Sequence, residues 1–134
     1  MKKLFITLSF VLIGIISANA QTTEPVYEKT DLVAEYQGGM TEMFNFIGKN
    51  LKYPKPAARA NVSGKVFVKM IIEKDGTISS PEIVKGIGFG CDEEVMRVVG
   101  LMPKWNAGQI GGKAVRSSIT LPVMFALENS KKSK

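Results

Sequence analysis

One thiol, three consecutive carboxylates and a glycine-rich loop crowd into residues 86–94, the densest concentration of reactive groups in this chain. Cys91 falls at the start of an expected helix, where the macrodipole lowers a thiol pKa. A nucleophilic role would still need a base beside it. The chain has no histidine, so imidazole-dependent triads are excluded. Asp92, Glu93 and Glu94 follow the thiol directly and their charge opposes thiolate formation, which assigns Cys91 to packing or capping. Three successive carboxylates point to different sides of a helix and cannot converge on one substrate; in a first turn they complement the dipole. Gly86-Ile87-Gly88-Phe89-Gly90 looks superficially like a phosphate cradle. The dinucleotide pattern wants its third glycine where Cys91 stands, and no P-loop lysine follows. The residues therefore point to no catalytic site, no cofactor and no metal, and the chain is not expected to be an enzyme.

The elements that carry these residues follow from periodicity. Met40, Met43, Phe44, Ile47 and Leu51 form one apolar stripe from Gly39 onward, a helix stopped by Tyr53-Pro54. Their regular spacing assigns these methionines and phenylalanines to a core rather than to a cofactor pocket. Pro56 and Ala57-Ala58-Arg59-Ala60 suggest a further short helix closing at Asn61. From Gly64, Val66, Val68, Met70 and Ile72 alternate with Lys65, Phe67, Lys69 and Ile71 as a strand does. Asp75-Gly76 suggests a hairpin through a type I′ turn. The return strand, about Thr77 to Lys85, alternates less cleanly and contains Pro81. A second main helix starts near Asp92, buries Val95, Val98, Val99 and Met102, and ends at Pro103. Trp105 then plugs the core at the sheet edge or helix face. An arm with Gly108, Gly111 and Gly112 delivers a third strand, about Val115 to Leu127. In it Ile119, Leu121, Val123, Phe125 and Leu127 alternate with Ser118, Thr120, Pro122, Met124 and Ala126.

Proline orders the strands. A central strand donates hydrogen bonds on both edges, so proline is confined to edge strands or bulges. Pro81 and Pro122 mark the second and third strands, which leaves the first in the middle. The expected fold is α+β, a two-layer sandwich: a three-stranded antiparallel sheet of order 2-1-3 with two main helices on one face.

Ahead of this domain, Lys2 and Lys3, the apolar run Leu4–Ile16 and Ala18-Asn19-Ala20 form a secretory signal peptide, cut after Ala20. Thirteen residues of helix span roughly 20 Å against a hydrocarbon core of ~30 Å, which argues against the alternative of an uncleaved inner-membrane anchor. The expected organisation is a signal peptide (1–20), a polar leader segment (21–35), the domain (36–127) and a basic tail (128–134). Without Lys2 and Lys3 the chain holds 16 basic and 12 acidic residues, and Lys131, Lys132 and Lys134 cluster at the end. The basicity is a tail effect, with no basic face for nucleic acid. A single cysteine forms no internal disulfide.

The order of short motifs resembles a known family. Leu51-Lys52-Tyr53-Pro54, Ala57-Ala58, Gly64-Lys65-Val66-Phe67-Val68 and Asp75-Gly76-Thr77-Ile78 are followed by Cys91-Asp92-Glu93-Glu94-Val95. Met102-Pro103-Lys104-Trp105, Gly112-Lys113-Ala114-Val115 and Leu121-Pro122-Val123-Met124-Phe125 complete the series. Together, over about Glu35 to Leu127, they resemble the C-terminal domain of TonB-type energy transducers, in the form common in the Bacteroidetes. The resemblance implies helices over a three-stranded antiparallel sheet. It also implies that the domain binds the TonB box, a short extended segment of outer-membrane receptors, as an added strand. A full transducer carries an uncleaved inner-membrane helix and a long proline-rich spacer. Here the hydrophobic segment looks cleavable, the leader holds only Pro25, and Ala107 stands where the family often has proline.

Two functions compete. The first is a periplasmic binding module for extended segments of outer-membrane transporters, linked to transmembrane transport, with main-chain bonds giving affinity. The second is a structural envelope protein that contacts peptidoglycan or another protein; homodimerisation is open under either. The third strand alternates more cleanly than the second, so its outer edge is the better template. The expected partner-binding residues are Arg116, Ser117, Ser118, Ile119, Thr120 and Leu121, with pairing mainly before Pro122 and with Arg116, Ser118 and Thr120 on the sheet face away from the helices. Proline at Ser118 is expected to abolish binding, and proline at Ser80 on the opposite edge to spare it.

Overall fold

The computed structural model describes residues 24–127; the expected signal peptide, the first three leader residues and the basic tail lie outside the described residues. The elements run α1 (Gly39–Asn50), α2 (Lys55–Arg59), β1 (Gly64–Ile72), β2 (Ile78–Lys85), α3 (Cys91–Gly100), β3 (Gln109–Ile110), β4 (Lys113–Ala114) and β5 (Ser117–Phe125). The main sheet is ordered β2-β1-β5 and antiparallel throughout. The strand without proline is central, as the missing proline N–H requires.

The alternation along β1 becomes the two faces of the sheet. Val66, Val68, Met70 and Ile72 are wholly buried, each side chain worth about 1.5–3 kcal/mol of transfer free energy. They meet Val95, Val98 and Val99 of α3, Met43 and Ile47 of α1, and Val123 and Phe125 of β5 in one core. Lys65 and Lys69, on the opposite face of β1, remain exposed. Both long helices therefore cover a single face. Trp105 is buried and packs edge-on against Tyr36 at a ring separation of 5.6 Å.

Three local expectations are corrected. The β1–β2 turn is not type I′: of its residues only Gly76 has positive φ, at 87°, and type I′ needs two. Instead Gly76 N–H donates to Glu73 O and Glu73 N–H to Thr77 O, a three-residue loop with a left-handed glycine. Asp75 Oδ1 accepts from Thr77 N–H at 3.0 Å and from Thr77 Oγ1 at 2.6 Å, which holds Asp75 in its ordinary φ range. A Cβ at Gly76 would lie 1.9 Å from the Trp105 carbonyl oxygen, so only glycine fits.

The α1 stripe is not all core. Met43 and Ile47 are buried, whereas Met40 is 64% and Phe44 49% exposed. The helix overhangs the β5 side of the sheet, so the stripe is wider than the surface beneath it. The glycine arm, expected only as a connection, pairs with itself as the β3–β4 hairpin.

Candidate functional site

The glycine loop before α3 binds its own carboxylate. Asp92 Oδ1 accepts from Ile87 N–H at 3.0 Å and Gly88 N–H at 3.4 Å, so the donors that a phosphate would need are taken. A Cβ at Gly86 would fall 2.1 Å from Asp92 Oδ2, which explains the glycine without any ligand. Glu94 turns away to Arg97 and to Lys52 N–H. Cys91 is fully buried, and burial first, then Asp92 and Glu93, pushes its thiol above the ordinary value. These groups brace the start of α3 and do not converge on one point.

The sheet edges hold the other candidate. Along β2 the pairing slips twice, between Lys69 and Ile71 and between Phe67 and Val68. The first slip contains Ser80-Pro81, with Ser80 at φ 48°. Proline cannot adopt that angle, so the substitution at Ser80 would disturb the bulge rather than serve as a neutral control. The β1–β5 register, by contrast, runs unbroken from Gly64↔Phe125 to Ile72↔Ser117. Ser118 N–H donates away from β1, to Tyr27 O at 2.9 Å. Residues two apart on a strand share that direction, so Thr120, Pro122 and Met124 also turn their backbone groups outward. The Pro122 nitrogen thus costs the ladder nothing.

Of the six expected partner residues, three aim inward: Ile119 and Leu121 pack against the core and Ser117 is buried. Ser118 and Thr120 lie on the opposite face. Arg116 precedes β5 and forms a two-pronged contact with Glu73, Nε to Oε2 at 2.7 Å and Nη2 to Oε1 at 3.1 Å. This Arg116 contact, then the Ser79 hydroxyl, holds the Glu73 carboxyl below its ordinary pKa. Arg116 also donates to Glu24 O at 2.8 Å. Tyr27 N–H donates to Arg116 O at 2.9 Å, so the chain's own leader lies along the upstream part of this edge. The downstream part, Thr120 N–H through Met124, has no such cover among the described residues.

An apolar trough follows that open part. A groove of about 400 Å³ runs between Phe44, Ile47 and Gly48 of α1, Leu51 just past its end, and Pro122–Met124 of β5, with Lys65 of β1 at its wall. A second, about 320 Å³, lies between Met40, Met43, Trp105 and Ile119–Leu121. The overhang of α1 that leaves Met40 and Phe44 exposed is what forms it. Sequence reasoning missed both the trough and the leader pairing. The leader's signal was short: Pro25 disfavours a helical residue before it, and Val26-Tyr27 are strand-prone.

The helix-backed sheet thus has one irregular edge, on β2, and one regular edge flanked by apolar grooves, on β5. Over residues 49–127 the chain matches the family described as Gram-negative bacterial TonB protein C-terminal; it belongs to that family. The family's domains are non-enzymatic protein-interaction modules that face the periplasm, act in transport energy transduction and interact with outer-membrane receptors. The chain is also similar to the solution structure of the Helicobacter pylori TonB C-terminal domain, at 22% identity and a TM-score of 0.45, covering 66% of this chain and 92% of that one. No curated protein matches it. Among the described residues, no helix is long and apolar enough to cross a membrane.

Proposed function

We propose that this chain is an exported, non-enzymatic binding module that accepts extended peptide segments of outer-membrane transporters as an added strand on the outer edge of β5. The observation that carries this reading is the outward row of backbone groups at Thr120, Pro122 and Met124 beside the α1 trough. Main-chain bonds to that row supply affinity, and alternate side chains of the incoming strand reach Met40 and Phe44 on the helix side or Met124 on the opposite sheet face. The partner-binding set Arg116–Leu121 is thereby extended downstream to Met124. The signal peptide, cut after Ala20, delivers the module to the periplasm. Intact mass of the exported protein tests that cut: a mass retaining residues 1–20 in the membrane fraction defeats it.

The docking reading is tested by titrating the mature protein with a synthetic box peptide of a TonB-dependent receptor and following amide shifts. Shifts at Ile119–Met124 and along α1 are expected. Shifts confined to Ile78–Lys85 defeat the edge assignment. Retention on isolated sacculi, with no response to the peptide, favours the structural envelope role instead.

A further inference from the structure

We propose that Glu24–Thr30 is a built-in competitor for the β5 edge, an intramolecular strand that an incoming peptide must displace to pair along Arg116–Ser118. This rests on the docking reading above and adds its regulation. The segment already makes the contacts of an added strand: Tyr27 N–H bonds Arg116 O and Ser118 N–H bonds Tyr27 O, both at 2.9 Å, in parallel register with Ser117. Anything that pairs there must take the same donor and acceptor.

Its hold is weak by construction. No residue from Glu24 to Lys29 is buried; Val26 and Tyr27, its apolar members, keep 38% and 37% of their surface exposed, so the segment adds no side chain to the core. Beyond the Tyr27 pair it is held by Arg116 on the Glu24 carbonyl and by a Lys74–Glu24 ion pair at 2.5 Å, its side chains 51% and 45% exposed. Exposed pairs of this kind contribute little. The next stretch is anchored differently. Leu32 exchanges both main-chain bonds with Gln109, Glu35 does so with Asn106, and Asp31 Oδ2 accepts from Gly111 N–H at 2.7 Å. Ala34 and Tyr36 are buried in the core. The segment can therefore pivot about the bends at Glu28 and Asp31 while the domain stays folded. The Ser117 hydroxyl, buried and without a partner among the described residues, borders the same space beside Gly108 as Thr30 and the Leu32 carbonyl.

Because apparent affinity scales with the fraction of molecules whose edge is free, releasing the segment should tighten peptide binding by about tenfold. The test compares the mature chain with Tyr27→Pro, which removes the donor to Arg116, and with Glu24→Lys, which sets like charges against each other at Lys74. Ser118 amide exchange is measured without peptide, and affinity for a receptor box peptide by calorimetry. The expected result is faster Ser118 exchange and tighter binding in Tyr27→Pro, with a smaller gain in Glu24→Lys that shrinks with salt. Equal Ser118 exchange in wild type and Tyr27→Pro overturns the proposal, because the segment then does not occupy the edge. Faster exchange with unchanged affinity also overturns it, because occupancy then does not compete. If exchange responds as expected but neither protein binds the peptide, it is the docking reading that fails, and the competition falls with it.

Discussion

The two outer strands of the sheet share one partner, β1, and treat their free edges in opposite ways. On β2 the ladder slips twice, Pro81 sits in one slip and Ser80 bends to φ 48°. Irregularity of this kind spoils an edge as a template for another chain. On β5 the register is unbroken over nine pairs, Pro122 turns its nitrogen outward, and the upstream portion is covered by the leader instead of being distorted. One edge is blunted by its own backbone; the other is regular and, upstream, lies against the leader. A strand-accepting surface needs regularity, because each added bond requires the next donor at the right spacing.

The largest expected effect lies beneath both edges and should leave their difference intact. Met70 is fully buried on the central strand, so Met70→Ala should cost about 2–5 kcal/mol in denaturant unfolding. At temperatures where the variant is folded, peptide shifts should still map to β5. A switch toward β2 would mean that the core, rather than the edge backbone, selects the docking side.

The sharpest test of the comparison is Thr120→Pro. The lost N–H faces outward and belongs to no β1 bond, so circular dichroism should be unchanged. Loss of the donor and the added ring should weaken peptide binding by roughly 100-fold, about 2.7 kcal/mol. Val84→Asp on the β2 edge, at a 59% exposed position, should alter binding by less than about twofold. Comparable losses in both variants would erase the distinction between the edges.

A smaller change is expected from Phe44→Asp. It places a charge in the trough without disturbing the core, since Phe44 is half exposed. Calorimetry should show affinity falling about tenfold. No change would restrict the partner to main-chain contacts.

The smallest effect concerns Glu73, which ties the ends of both edge strands through Ser79 and Arg116. Its folded pKa is lowered, by the Arg116 bond first and the Ser79 bond second. The stability it contributes is therefore complete above its unfolded value of about 4.3 and is lost as pH falls through the folded value. Burial first, then the Asp75 charge, opposes this shift. Glu73→Gln should flatten the fall in stability below about pH 4 relative to wild type, and a parallel acid profile would remove Glu73 from this role.

Much of this fold is legible along the chain because its signals are local. The period-two run Val66–Ile72 records which face of β1 is buried. Pro81 and Pro122 record which strands are edges, since a missing N–H cannot sit between two neighbours. Asp92–Glu94 announce a helix start, and the absence of histidine excludes imidazole chemistry. The motifs from Leu51 to Phe125 carry the family for the same reason: each marks a turn, a cap or a buried position that the backbone demands.

What remained hidden depends on groups far apart in sequence. The stripe of α1 shows that Met40 and Phe44 are apolar, but only the offset of α1 over the sheet decides that they overhang an edge and make a trough. Glu73 and Arg116 are 43 residues apart, and nothing local pairs them. The leader has too few apolar residues to announce a strand, and its pairing exists only because β5 offers Tyr27 an unpaired donor and acceptor at the right spacing. The main helices, the three long strands and their order can be read along the chain, since periodicity and proline act within a few residues. Which edge stays regular, what flanks it and what covers it were decided by tertiary structure, because an edge is defined by the neighbour it lacks.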